Sequence, residues 1–181
     1  VTFCHFVMQG GMKAYILPAF LAASLSACAG PLETRVSSSG ATGLAPATYI
    51  WAPDSGVASN DVAEAKRLVS AKLAERGFTA ADTGSLHMEV AVASRPASLG
   101  LVAGEKDVLS PVRRKKTFQR CGDNEYRLGI TITQIADGAE VYRGNASEYH
   151  CKEALGSVLS RLVDAALADL GQPRGTYSIK R

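Results

Sequence analysis

The stretch 126–146 restricts the fold more than any other, because two alternating runs flank a short turn. From Tyr126 to Ile135 the apolar side chains Tyr126, Leu128, Ile130 and Ile132 alternate with Arg127, Thr131 and Thr133. That period of two is the mark of a half-buried strand. Ala136-Asp137-Gly138 reads as a three-residue hairpin loop with Gly138 in the left-handed position. If Ile135 pairs with Ala139, then Ile132 meets Tyr142, Ile130 meets Gly144 and Leu128 meets Ala146, all on the apolar face. A tighter two-residue turn would set Ile132 against Arg143 and Ile130 against Asn145. A one-residue slip exchanges the faces, so the three-residue loop is preferred. Arg143 and Glu148 are expected on the exposed face.

Two helices are predicted on either side of this hairpin. Over Asp61–Arg76, Val62, Ala65, Val69 and Leu73 fall on one stripe, widened by Leu68. Asp61 and Glu64 have capping-box spacing, and Gly77 supplies the left-handed stop. Over Glu153–Leu170, Leu155, Val158, Leu159, Leu162, Val163, Ala166, Leu167 and Leu170 form a continuous stripe, with Gly171 and Pro173 beyond it. Thr48-Tyr49-Ile50-Trp51 is a short β-favourable run. Leu86–Ala93 alternates Leu86, Met88, Val90 and Val92 with His87, Glu89, Ala91 and Ala93, another half-buried strand with His87 on its polar side. The order strand, helix, strand, long connection, hairpin, helix predicts an α+β two-layer sandwich, a mostly antiparallel sheet with two helices on one face.

The first 28 residues read as a targeting segment. Met12 and Lys13 precede an apolar run from Ala14 to Leu25, followed by Ser26, Ala27 and Cys28. The run is about half the ~20 residues of a membrane span and is interrupted by Pro18. Leu25-Ser26-Ala27-Cys28 resembles a bacterial lipoprotein box. The resemblance implies removal of residues 1–27 and acyl chains on Cys28, and two or more such chains anchor firmly. Ala29 after the cysteine implies an outer-membrane address. Residues 28–46, rich in Ser, Gly, Ala and Pro, are expected to form a lipidated flexible tether. Residues 47–171 are expected to form a single α+β domain, and 172–181 a loose basic tail.

Four cysteines are present. With Cys4 in the leader and Cys28 as the lipid site, Cys121 and Cys151 remain as an even pair in an oxidising compartment. A disulfide between them is expected, with the chain bending near Gly122. A metal site of Cys121, His150 and Cys151 is the lesser alternative, since the adjacency of His150 and Cys151 suits spaced zinc ligands poorly. Loss of the leader takes the Lys-plus-Arg count from 20 to 19 against 17 acids, a near-balance that argues against nucleic acid as the main partner. Three histidines, one of them in the leader, leave little for metal or acid–base work. No serine-nucleophile elbow, zinc-protease helix or phosphate-binding glycine loop is found. No cofactor and no catalytic residue is assigned, and a non-enzymatic role is expected.

Residues 94–120 form an unusually long connection holding Arg113, Arg114, Lys115 and Lys116. A strand near Thr117–Gln119 is one reading of part of it. The basic run is a candidate for binding anionic headgroups, cell-wall polymer or an acidic partner, with a solvated charged loop as the plainer alternative.

Ile50-Trp51-Ala52-Pro53, the helix end Leu73-Ala74-Glu75-Arg76-Gly77-Phe78 and the strand 86–93 together resemble the DUF4136 family of bacterial lipoproteins. Gly129-Ile130-Thr131-Ile132 and Val141-Tyr142-Arg143-Gly144-Asn145-Ala146 resemble that family's closing hairpin. Gly84-Ser85 departs from its Ala-Asp, and the cysteine pair is not part of its pattern. The resemblance implies no activity and no catalytic residues. The expectation is an outer-membrane-anchored lipoprotein facing the periplasm that binds an envelope protein or a cell-wall partner. The alternative is an auxiliary lipoprotein of an envelope lipid transport system.

Overall fold

A computed structural model describes residues 32–53, 59–103, 107–110, 112–115 and 119–181. The expected signal segment, Cys28, Lys116, and Thr117 and Phe118 of the suspected strand lie outside the described residues. Chain order is β1 (Glu33–Gly40), β2 (Thr48–Trp51), α1 (Asn60–Ala74), β3 (Thr79–Ala80), β4 (Leu86–Pro96), β5 (Leu101–Ala103), β6 (Asp107–Ser110), β7 (Asn124–Gln134), β8 (Glu140–His150), α2 (Leu155–Leu167) and β9 (Gly175–Lys180). Seven strands make one open sheet in the order β3-β2-β4-β7-β8-β1-β9, and β5 and β6 pair separately. Among the described residues only β2 pairs in parallel, with β3 and β4; the other pairings are antiparallel. This is the expected α+β sandwich with both helices on one face of a mostly antiparallel sheet.

The apolar alternation sets that face. Leu86, Met88 and Val90 of β4, Leu128, Ile130 and Ile132 of β7, and Tyr142 and Ala146 of β8 share one core with Ala65, Val69 and Leu73 of α1 and Val158, Leu159, Leu162 and Ala166 of α2. Burying a large apolar side chain in such a core contributes roughly 1.5–3 kcal/mol before entropy is subtracted. The hairpin register is the expected one, with Ile132 opposite Tyr142, Ile130 opposite Gly144 and Leu128 opposite Ala146. The loop differs in detail. A register shift after Ile132 puts Thr133 opposite Glu140, and Gln134 donates its N–H to the Ala139 carbonyl at 2.8 Å. Residues 135–138 therefore form the loop, and the bulge restores the face. Ile135 is left exposed, its N–H bonded to the Ser85 carbonyl of the neighbouring connection. Gly138 has φ +72°, as the turn requires. Gly144 lets α2 approach the sheet: a Cβ there would collide with the Ala166 carbonyl, which accepts a 2.6 Å bond from the Tyr142 hydroxyl.

Four expectations are corrected. Residues 33–40 of the expected tether form β1, inside the sheet between β8 and β9. Residues 175–180 of the expected loose tail form β9 on the sheet's edge. The domain accordingly runs over Leu32–Arg181. The cap of α1 is Ser59, whose hydroxyl accepts from the Asp61 N–H, while Glu64 pairs with Arg67 instead of closing a capping box. Glu148 is fully buried rather than exposed. Its parity is that of Tyr142 and Ala146, so the register itself turns it toward the helices; Arg143 is exposed as expected. No helix among the described residues is long and apolar enough to cross a membrane.

Candidate functional site

The segment after β4 folds back against the start of β7. The Ala97 N–H donates to the Asp123 carbonyl and the Arg113 N–H to the Ala97 carbonyl, each at 2.8 Å. Between these strands lies a cleft of about 130 Å³ lined by Pro96, Ser98, Arg113, Lys115, Asp123 and Asn124. Two of the four basic candidates therefore reach one place. Arg113 is already engaged: its Nε lies 3.3 Å from the Asp123 carboxylate, and its guanidinium sits 4.7 Å from the centre of the Tyr149 ring. Arg35 lies over the same ring at 5.2 Å. The Lys115 ammonium donates to the Arg120 carbonyl at 3.1 Å, and Arg114 is exposed. Arg113 thus fastens the loop to the sheet, and Lys115, Ser98 and Asn124 offer the cleft's donors. The lining carries two cations and one carboxylate, which suits a small anion or polar group.

The disulfide closes the same end of the molecule. Cys121 and Cys151 are bridged with their Cα atoms 5.5 Å apart. The β7–β8 ladder starts with Asn124 opposite His150, and Gly122 carries the chain from the bridge to the ladder with a φ outside the left-handed region. Among the described residues no group of three or more His, Cys, Asp or Glu is placed to hold a metal ion. Both cysteines of the metal alternative are consumed by the bridge, and His150 has other partners.

Those partners form a cluster that periodicity does not announce. On the helix side, buried Glu148 accepts a 2.6 Å bond from the Thr34 hydroxyl of β1. His150 Nε2 lies 2.8 Å from Glu148, and Arg161 Nε of α2 lies 3.5 Å from it. His150 Nδ1 faces Glu153 at 3.3 Å, and Arg161 donates to Glu153 at 2.8 Å. That bond from Arg161 holds the Glu153 carboxyl below, and the Arg161 guanidinium above, its ordinary range. Tyr126 stacks on the His150 ring and donates its hydroxyl to the Glu153 carbonyl at 2.8 Å. The His150 side chain is only 4 % exposed, and the cluster links β1, β8 and α2. The available signal was the register: continued past Ala146, it places Glu148 and His150 on the helix face.

A second buried carboxylate, Asp169, follows α2. It accepts from the Ser38 hydroxyl at 2.7 Å, from Arg174 Nε at 2.6 Å and from the Tyr177 hydroxyl at 3.1 Å. Burial raises its pKa, but these three donors outweigh burial and hold it below the usual aspartate value.

No family model matches the chain, and no curated protein does. Solved structures share its fold, two of them as follows. A PelC dodecamer from Paraburkholderia phytofirmans aligns with TM-score 0.50 and 15 % identity over 78 % of this chain and 99 % of that one. A PDZ domain protein from Parabacteroides distasonis ATCC 8503 aligns with TM-score 0.54 and 11 % identity over 92 % of this chain. This chain spans 42 % of that protein's length. At such identities the likeness concerns the arrangement of strands and helices alone.

Proposed function

We propose that this chain is a non-catalytic accessory lipoprotein of a bacterial cell envelope, anchored to the outer membrane through acyl chains on Cys28 and facing the periplasm. The observation that carries the reading is the pairing of Cys121 with Cys151 in a chain that also holds the Leu25–Cys28 box. A bridge of this kind persists in an oxidising compartment and is rare in the cytosol, which agrees with export. The resemblance to the DUF4136 lipoproteins belongs to the same proposal. Its partner is an envelope protein or cell-wall polymer bearing anionic groups, met at the cleft where Arg113 and Lys115 converge. Lys115 is the contact residue, and Arg113 holds the loop in place.

The test is metabolic labelling with a fatty acid in a bacterial host. The parent chain is expected to take up label and to sediment with the outer membrane. Cys28→Ala is expected to lose the label and leave that fraction. Equal labelling of Cys28→Ala and parent overturns the anchor.

A further inference from the structure

The two edges of the main sheet differ. One is β3, two residues long. The other is β9, six residues long, which among the described residues pairs only with β1. We propose that β9 is the docking surface for a second copy of this chain, the two sheets joining edge to edge about a two-fold axis at Ser178. This goes beyond the lipid-anchor reading and does not depend on it.

Backbone parity defines what the edge can accept. Arg181 and Leu32 exchange both of their backbone bonds, at 2.9 and 3.1 Å. In an antiparallel ladder such pairs alternate with pairs that do not bond. Ile179 and Tyr177 therefore bond back to Thr34 and Val36 of β1. The N–H and C=O groups of Thr176, Ser178 and Lys180 point outward. Natural edges are blunted by bulges, prolines or charges along the strand. The one charge of β9 is Lys180, at its last position, and the strand contains no proline.

A second β9 presents the same three outward residues, so its own strand is a matching partner. With Ser178 opposite Ser178, all three residues of each copy bond, giving about six backbone hydrogen bonds. Sliding by two residues in total leaves only two residues of each copy aligned. The register that sets Lys180 against Lys180 places like charges directly opposite, which is unfavourable. The Ser178-centred register sets Lys180 against Thr176 and Arg181 against Gly175, so no like charges stand directly opposite, although Arg174 adjoins that Gly175. On the helix side it sets Tyr177 against Ile179, an aromatic–β-branched pair of the kind that stabilises ladders. Both side chains are half-buried against the core in one copy, and the partner strand covers them further. The contact is isologous and closes on itself, so it makes a dimer and not a fibre.

The test uses the full chain purified in detergent. Light scattering is expected to give twice the protein mass of one chain. Ser178→Pro removes an outward N–H and no β1–β9 bond, a position where an edge strand tolerates proline. It is expected to give a monomer with an unchanged fold. In the proposed register the Ser178 Cα atoms are about 5.5 Å apart, within the reach of a disulfide. Ser178→Cys is expected to form a covalent dimer on mild oxidation, measured above the level the parent chain gives. Lys180→Cys is expected to do so only when mixed with Thr176→Cys. A monomeric parent chain, a dimer that survives Ser178→Pro, or Lys180→Cys alone bridging as well as Ser178→Cys each overturns the proposal. The crosslinks keep it testable if Ser178→Pro fails to fold.

Discussion

At the N-terminal end of α2 the buried carboxylate is Glu148, and at the C-terminal end it is Asp169; both are nearly inaccessible, but their partners differ. Glu148 faces His150, whose side chain is 4 % exposed, and buried Thr34, with the more open Arg161 and Arg181 at 3.5 and 3.9 Å. The main cation of Asp169 is Arg174, whose side chain is 61 % exposed. If Asp169 is removed, water can solvate the guanidinium it leaves behind. Water can reach Arg161 and Arg181, which also face Glu148, but cannot readily reach His150 and Thr34. The cost of losing a buried carboxylate depends less on how deep it lies than on whether its partners can return to solvent. The N-terminal end also carries the Cys121–Cys151 bridge, just before α2 begins. It is the more firmly locked of the two.

The largest effect is expected from Glu148→Ala, about 3–5 kcal/mol, because it strands polar groups in the core. Denaturant unfolding checks it, and an equal loss from Asp169→Ala breaks the comparison. Cys121→Ser comes next, at about 3–4 kcal/mol less any native strain in the chain-entropy model. Adding Cys151→Ser should then cost little, since the first change already opens the bridge; two free thiols in mass spectra of non-reduced protein exported to an oxidising compartment would remove the premise.

Asp169→Ala is expected to cost about 2 kcal/mol, the scale of lost hydrogen bonds to a charged group whose partner re-solvates. The same residue makes the C-terminal end acid-sensitive. A carboxyl held below its ordinary value of 3.8 contributes stability above that pH and loses it as pH falls through the folded value. Asp169→Asn should therefore flatten the acid limb of a stability–pH curve, and a limb as steep as the parent's would exclude this assignment. The smallest effect is expected at the hairpin loop. Gly138→Val should cost of order 1 kcal/mol, for backbone reasons alone, since nothing lies within 4 Å of the added Cβ. Gly138→Asn, which tolerates positive φ, should cost clearly less in the same melt.

The basic run shows why the candidate site was only half legible. A sequence reveals charge density, but not which charges are used internally. Arg113 is spent on Asp123 and on the Tyr149 ring, while Arg114 stays exposed. The cleft exists because Ala97 donates its N–H to the carbonyl of Asp123, far from it along the chain. The disulfide was legible by counting, since two cysteines remained after the expected leader and the proposed lipid site were set aside.

The helix stripes, the alternation of β4 and β7 and the hairpin register from Leu128 to Ile132 were determined by the sequence alone, because each rests on local period and on which face water avoids; the bulge after Ile132 was not. Ile132 meets Tyr142 rather than Arg143 because a one-residue slip turns apolar side chains outward. β1 and β9 were decided only by the tertiary structure. Along β1 the inward positions are Thr34, Val36 and Ser38, so hydrophobic periodicity gives almost no signal there. Thr34 and Ser38 can be buried because their hydroxyls reach Glu148 and Asp169, 114 and 131 residues away. A buried polar group is tolerated only when it is hydrogen-bonded, and those partners exist only once the chain has folded.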